Sequence, residues 1–248
     1  MGHRLASSAP APSSRTGPLE RNWLLLHAPR AEYIQFVPHL EMVSLPSGTV
    51  ICAPRATMTH VHFPQSGVIS IVNGSGDSGV ETSIVGRSGF LGLSVLLGGE
   101  GSVHGVGAQV SGQTKRMPAD LFVRLLAGAP GLRRLLYRYA YAQIETVQQL
   151  AACNVLHVVE QRCARWLLMA TDQVGDAPYY LTQAFLAQML GVRRAGVTTV
   201  AGLLQHAGFI EYSRGRMTLL DRPALEQVTC RCYRVIREIT EQFFASSP

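Results

Sequence analysis

Between residues 40 and 118 short apolar runs alternate with glycine and proline punctuation. The runs fall at 49–51, 61–63, 68–72 and 82–85, and the turn-forming stretches between and around them at 46–48, 65–67, 73–76 and 86–89. Regularly spaced short strands with such turns predict an antiparallel β-roll or barrel. A short helix is expected ahead of it over residues 22–33, carrying Trp23, Leu24, Leu25 and Leu26.

The pattern changes after Pro130. Leu136, Tyr139, Gln143, Thr146, Leu150 and Cys153 recur at spacings of three and four, and Leu132, Leu135, Ile144 and Val147 form a second stripe. Two stripes predict a helix that touches its own β domain on one side and a second copy of itself on the other. The plainer alternative is a core helix with one broad face. Beyond Val155 a further helix places Cys163, Trp166, Leu167 and Ala170 on one face, and residues 175–178 end it.

Residues 181–210 carry the most constrained pattern. With Gln183 as the first residue of a helix-turn-helix, Leu186, Leu190, Val192, Val197 and Val200 fall where two crossing helices must be apolar. Ala187 falls where only a small side chain fits, and Gly191 falls in the turn, where the backbone needs positive φ. Thr182 stands in the N-cap position. The second helix, expected from about Arg193 to His206, exposes Arg193, Arg194, Thr198 and Thr199 in its first turns, the part of a recognition helix that reaches base edges. Residues 209–212 and 217–220 read as two strands flanking a turn with Arg214 and Arg216, which predicts a β wing. Residues 181–220 hold four arginines against one glutamate, a net of +3. After Asp221 a single helix to about Phe244 is expected, with the stripe Leu225, Val228, Cys232, Val235, Ile239 and Phe243.

Composition narrows the class. Hydrophobic residues make up 47% of the 248, enough for real cores, and the formal charge of +6 permits a polyanionic partner. Residues 1–18 are rich in Ala, Ser, Pro and Gly and are expected to be disordered. No apolar run reaches the ~18 residues a membrane span needs, and the first residues lack a signal-peptide core, so a cytoplasmic location is expected. Phosphate-loop, dinucleotide-fingerprint and nucleophile-elbow motifs are missing and carboxylates are few, which argues against an enzyme.

Cys52, Cys153, Cys163, Cys230 and Cys232 make a poor disulfide framework, and without a CxxC pair a zinc ribbon is not expected. Cys232 lies on the C-terminal stripe and is expected in the core. Cys230 is off it and expected to be exposed, and Cys153 is placed near the dimer seam; a redox role for Cys153 or Cys230 stays open. His60 and His62 share one strand face and, with His104, offer a metal or haem alternative, whose plainer reading is ordinary barrel histidines.

The helix-turn-helix and wing, the long helix from Pro130 and the glycine-rich turn at 86–92 together resemble the Crp/Fnr family of bacterial transcription regulators. The resemblance covers nearly the whole chain after the tail. It implies a β-roll sensor, a symmetric homodimer, a near-palindromic DNA site and RNA polymerase as a further partner. By this resemblance Arg194 takes the place of the family's leading base-reading arginine, while Ala195 and Thr199 depart from its pattern. Where cyclic-AMP-binding members carry a ribose-holding glutamate and a phosphate-holding Arg-Ser pair, this chain has Leu93 and Val103-His104. A base-contacting serine is replaced by Val147, beside Thr146. A buried phosphate needs charge-assisted donors, so cyclic AMP is not expected to bind in the usual way. Leu93, Val103, His104 and Thr146 remain the candidates for an effector pocket of unknown ligand. No cysteine precedes Cys52, so the family's N-terminal iron–sulfur cluster is not expected.

The expected fold is therefore α+β: a tail (1–20), a β-roll sensor (21–129), a dimerisation helix (130–154), a winged helix-turn-helix (155–221, its core at 183–206) and a C-terminal helix (222–248). Phosphate contacts are assigned to Thr182, Arg214 and Arg216, and base reading to Arg193, Arg194, Thr198 and Thr199. A hinge is expected at 154–157. No cofactor or metal is expected. The rival readings are a β-roll metalloprotein and a non-DNA interaction module.

Overall fold

The computed structural model describes residues 20–74, 79–99 and 101–245. The tail assigned to 1–20 lies outside them except for Glu20. The expected single N-terminal helix is two, α1 (Trp23–Leu26) and α2 (Arg30–Phe36), followed by a 3₁₀ turn over Val37–His39. Pro29 divides them, because proline has no N–H to continue α1. Asn22 fixes the entry: its Oδ1 accepts from the Leu25 N–H, and its buried Nδ2 donates to the Pro64 and Gly89 carbonyls at 3.0 and 2.8 Å.

Seven strands form the β-roll, the domain expected to act as the sensor: β1 (Glu41–Leu45), β2 (Val50–Cys52), β3 (His60–Pro64), β4 (Val68–Asn73), β5 (Val80–Val85), β6 (Gly105–Val110) and β7 (Gly112–Pro118). They make two antiparallel sheets, β1-β7-β3 and β2-β6-β4-β5. Leu45, Cys52, Ile69, Val85, Val106 and Ala108 meet between them as one apolar cluster. The glycine-rich turn leads into α3 (Leu93–Leu96) through Gly92, whose φ is +153°. A Cβ there would lie 2.5 Å from the Phe90 ring, so only glycine fits.

Helix α4 (Ala119–Ala127) precedes the long helix α5 (Pro130–Leu156). At 27 residues α5 runs about 40 Å. Its N-terminus is capped from a distance: both Glu32 carboxylate oxygens accept backbone N–H groups, from Gly131 at 3.0 Å and Leu132 at 2.6 Å. The two expected stripes divide differently. Leu132 and Leu135 join Leu136 and Tyr139 in the sensor core. Ile144 and Val147 of the second stripe are exposed, and Ile144 continues a seam with Tyr137, Tyr141, Gln148, Ala151 and Val155 at alternating spacings of four and three. Tyr141 is 65% exposed and Val155 84%.

After an extended step at His157 and Val158 the chain continues into α6 (Val159–Val174), β8 (Tyr179–Tyr180), α7 (Gln183–Leu190), α8 (Arg194–His206), β9 (Ile210–Ser213) and β10 (Arg216–Leu219). The C-terminal segment is two helices rather than the one expected, α9 (Arg222–Val228) and α10 (Cys232–Ala245). Thr229 breaks them: its backbone is extended and its hydroxyl donates to the Gln161 carbonyl at 3.2 Å. Helix α10 returns antiparallel along α5, with Cys232 against Gln149 at one end and Phe243 against Tyr139 at the other. This return buries Cys230, against the expectation that it is exposed. It also turns Cys153 inward, away from the seam. No helix among the described residues is long and apolar enough to cross a membrane.

Candidate nucleic-acid interface

The helix-turn-helix forms where the pattern places it. Thr182 caps α7, its Oγ1 accepting from the Phe185 N–H at 3.2 Å. Gly191 ends α7 at φ +63° and ψ +38°, and the Val192 N–H returns to the Ala187 carbonyl at 3.0 Å. This left-handed turn, nearly free for glycine and costly for a side chain, sets the angle between α7 and α8. Leu186, Ala187, Leu190, Val197 and Val200 are all buried in one core with Leu167, Leu204, Ile210 and Met217. Val192 packs against that core from the side.

That packing forces the polar face outward. Arg193 is the N-cap of α8 and Arg194 its first residue, and both are exposed, as are Thr198 and Thr199. The threonine hydroxyl protons are already used. Thr198 donates to Gln183 Oε1 at 2.8 Å, and Thr199 donates to the Ala195 carbonyl at 3.2 Å. What each presents outward is lone pairs, suited to accept from adenine or cytosine amino groups. Gln183, which the sequence reading used only to set the register, holds Thr198 in place.

The wing is the hairpin β9–β10 with β8 on its far edge. Arg214 and Gly215 take φ of +50° and +78°, the two positive values of a type I′ turn. Gly215 also passes so close to Tyr180 that a Cβ would lie 2.8 Å from the ring. The Leu181 N–H donates to the Gly215 carbonyl at 2.7 Å, which ties the wing tip to the start of α7. Arg214 and Arg216 are exposed beside that tip. The exposed cations assigned from sequence thus stand on the wing tip and at the head of α8, and Thr182 is exposed at the head of α7.

The sensor is docked on this domain in two places. Val80 of β5 lies under the α7–α8 turn, its methyls 3.4 Å from where a Gly191 Cβ would be. Beside it, Glu81 accepts from Trp166 Nε1 at 2.6 Å and from the Ser70 hydroxyl. Burial in this seam pushes the Glu81 carboxyl up to about 7 in spite of those donors and nearby Arg165. In the second place, Arg87 of the glycine-rich turn donates to the Asp172 carbonyl at 3.1 Å, and Ser88 donates to Gln173 Oε1 at 2.9 Å. Neither contact was read from the sequence: the residues lie 85 positions apart and no local pattern links them.

The pocket candidates do not converge. Thr146 borders a cavity of about 440 Å³ between sensor and DNA-binding halves, with Trp23, Arg87, Asp172 and Tyr233. Leu93 begins α3, Val103 is 67% exposed, His104 stands before β6, and none of the three lines that cavity. His60 and His62 share β3 while His104 precedes a strand of the other sheet. Burial, with His60 and Arg116 nearby, lowers His62 to about 4. Among the described residues the side chains close enough to share one ion are Cys153, His157, Cys230 and Cys232.

An antiparallel β-roll, a long helix and a winged helix-turn-helix in this order define the architecture of a DNA-binding regulator with an N-terminal β-roll. Residues 161–228 match the family described as the Crp-like helix-turn-helix domain. The fold over most of the chain is that of Crp/Fnr regulators. FixK2 from Bradyrhizobium japonicum superposes with a TM-score of 0.65 at 12% identity, over 77% of this chain and 98% of that one. TTHB099, a CRP-family transcriptional regulator from Thermus thermophilus, gives 0.61 at 19%, over 75% and 95%. The c-di-GMP-responsive global regulator CLP of Xanthomonas campestris gives 0.58 at 16%, over 77% and 99%. No curated protein matches the sequence.

Proposed function

We propose that the chain is a transcription regulator that binds a near-palindromic DNA site as a homodimer and does so without cyclic AMP. The observation that carries this reading is the exposed head of α8, with Arg193 and Arg194 held outward by the burial of Val197 and Val200. Arg194 reads a guanine through O6 and N7, Arg193 shares that reading, and Thr198 and Thr199 accept from neighbouring bases. Thr182, Arg214 and Arg216 contact phosphates and fix register.

The apolar seam of α5 supports the dimer. A two-fold axis along it would set two α8 helices about one DNA turn (~34 Å) apart. Leucine and valine at 93 and 103 support the reading on cyclic AMP, since neither can hold a ribose or a cyclic phosphate. Control acts through the docked seam at Val80 and Glu81 and the extended step at His157: an effector that favours one domain orientation shifts DNA affinity by its differential binding. RNA polymerase is the expected further partner, and the protein works in the cytoplasm and is not an enzyme.

Arg194→Ala tests the assignment. It should cost about 1–3 kcal/mol in specific binding and relax one base preference, while Arg214→Ala weakens binding to all sequences and flattens the salt dependence. Gel shifts across a salt series distinguish the two. Unchanged affinity and specificity in Arg194→Ala would remove α8 as the reading helix.

A further inference from the structure

We propose that Cys153, His157, Cys230 and Cys232 bind one zinc ion in a tetrahedral Cys₃His site that fastens the end of the long helix to the C-terminal helices. Cys153 and His157 stand four residues apart at the C-terminal end of α5, so their side chains leave on one face. Cys230 lies in the break between α9 and α10, and Cys232 opens α10. The four donor atoms lie within 4.8 Å of one another. The Cys153 and Cys230 sulfurs are 3.5 Å apart, and the Cys232 sulfur is 3.6 Å from His157 Nδ1.

Those separations are close to what zinc imposes. Bonds of about 2.3 Å to sulfur and about 2.0 Å to nitrogen in a tetrahedron give edges of about 3.8 Å between sulfurs and about 3.6 Å between sulfur and nitrogen. A multi-iron cluster, with several metal atoms between its thiolates, needs a wider cage. Three buried thiols could also pack simply as small apolar groups. That reading explains neither the imidazole nitrogen turned toward Cys232 nor the Gln149 amide, which donates to the same sulfur at 3.0 Å. An amide hydrogen bond to a ligating sulfur is the outer-shell contact that metal sites use to orient their donors.

Charge gives an independent indication. Arg165 is 4% exposed, and its Nε has no hydrogen-bond partner. Its guanidinium lies close enough to Cys153, Cys230 and Glu81 to bear on the charge of all three. A buried guanidinium needs an anion. Zinc with three thiolates and a neutral histidine carries a net charge of −1, which the single charge of Arg165 would balance. Binding releases the three thiol protons to solvent, so affinity falls with acid. Spacing hid the site: the sequence has no CxxC, and the two pairs of ligands are brought together by the antiparallel return of α10.

The test uses the full chain, purified untagged under reducing conditions, exposed to zinc sulfate and passed through gel filtration. Elemental analysis should give about one zinc per chain. Cobalt in its place should give the visible bands of a tetrahedral thiolate site. Cys230→Ser and Cys232→Ser should each lower retained zinc at least tenfold, while Cys163→Ser, at a buried thiol outside the cluster, leaves it unchanged. If the cysteine variants lose their helical circular dichroism, His157→Gln, at a partly exposed ligand, replaces them and should show the same loss. Zinc well below one per chain in folded, reduced protein would overturn the proposal. So would iron with sulfide in place of zinc, a Cys153–Cys230 disulfide that persists under reductant, or full zinc retention in His157→Gln, Cys230→Ser and Cys232→Ser.

Discussion

Replacing Glu81 by glutamine probes the contact that joins sensor to DNA-binding domain. Glu81 stands on β5, takes the Trp166 indole N–H at 2.6 Å and is pushed up to about 7 by burial. The ordinary value is 4.5, so the rise to about 7 corresponds to at most about 3–4 kcal/mol. The residue is not fully enclosed, and solvent reduces this to about 1–2 kcal/mol. Because the folded pKa is raised, the neutral acid is the form that folding favours. Its contribution is complete below about pH 4.5 and is lost as pH rises through about 7. Glutamine keeps an acceptor for Trp166, gains a donor toward Ser70 and never ionises. Glu81→Gln should therefore match the wild type near pH 4.5 and exceed it at pH 8 by about 3–6 °C in thermal midpoint. Scanning calorimetry of both proteins from pH 4.5 to 8.5 measures the difference directly. A constant gap across that range, or a glutamine variant less stable at pH 8, would refute the argument that Glu81 is held against its charged state.

Three further outcomes follow from the geometry. Gly191→Val forces a β-branched residue into left-handed backbone and drives its side chain toward Val80, so it should lose about 2–3 kcal/mol in denaturant unfolding; a loss under 0.5 kcal/mol would contradict the turn. Tyr141→Glu with Ile144→Glu places charges on the exposed seam of α5 and should convert dimer to monomer in sedimentation without reducing helix content; an unchanged dimer would move the interface elsewhere. Thr182→Ala removes the α7 cap and should cost about 1 kcal/mol of stability, with weaker DNA binding at low salt as well, as measured by chemical unfolding and gel shift.

The helix-turn-helix could be read from sequence because its constraints are local. Gly191 needs a left-handed backbone, Ala187 needs to be small, and Leu186 and Val197 need to be apolar, all within one short stretch. The β-roll could be read for a related reason, since each strand ends at its own turn residues. The misreadings come from long-range packing. Leu132 and Leu135 share a stripe with Ile144 and Val147, but the first two pack on the β-roll and the last two are exposed, a division that spacing cannot reveal. Leu225, Val228 and Cys232 keep an unbroken apolar rhythm across Thr229, so the hydroxyl that leaves the helix for Gln161 is invisible in the pattern. Cys230 sits just past a helix break that the apolar rhythm does not show, and the break turns it inward. The assigned DNA contacts stand outward on the surface, but the residues that dock the sensor on them, Val80, Glu81 and Trp166, carry no motif of their own.

The central claim is that two copies of α8 present Arg193 and Arg194 to successive major grooves of one duplex. Selection of bound sequences from a random DNA library, with the full chain as bait, tests it most directly. The expected result is an enriched two-fold symmetric motif with half-sites centred about 10 base pairs apart, whose preferred bases shift in Arg194→Ala. A library that shows no enriched sequence, or one whose enrichment survives that substitution unchanged, would contradict it.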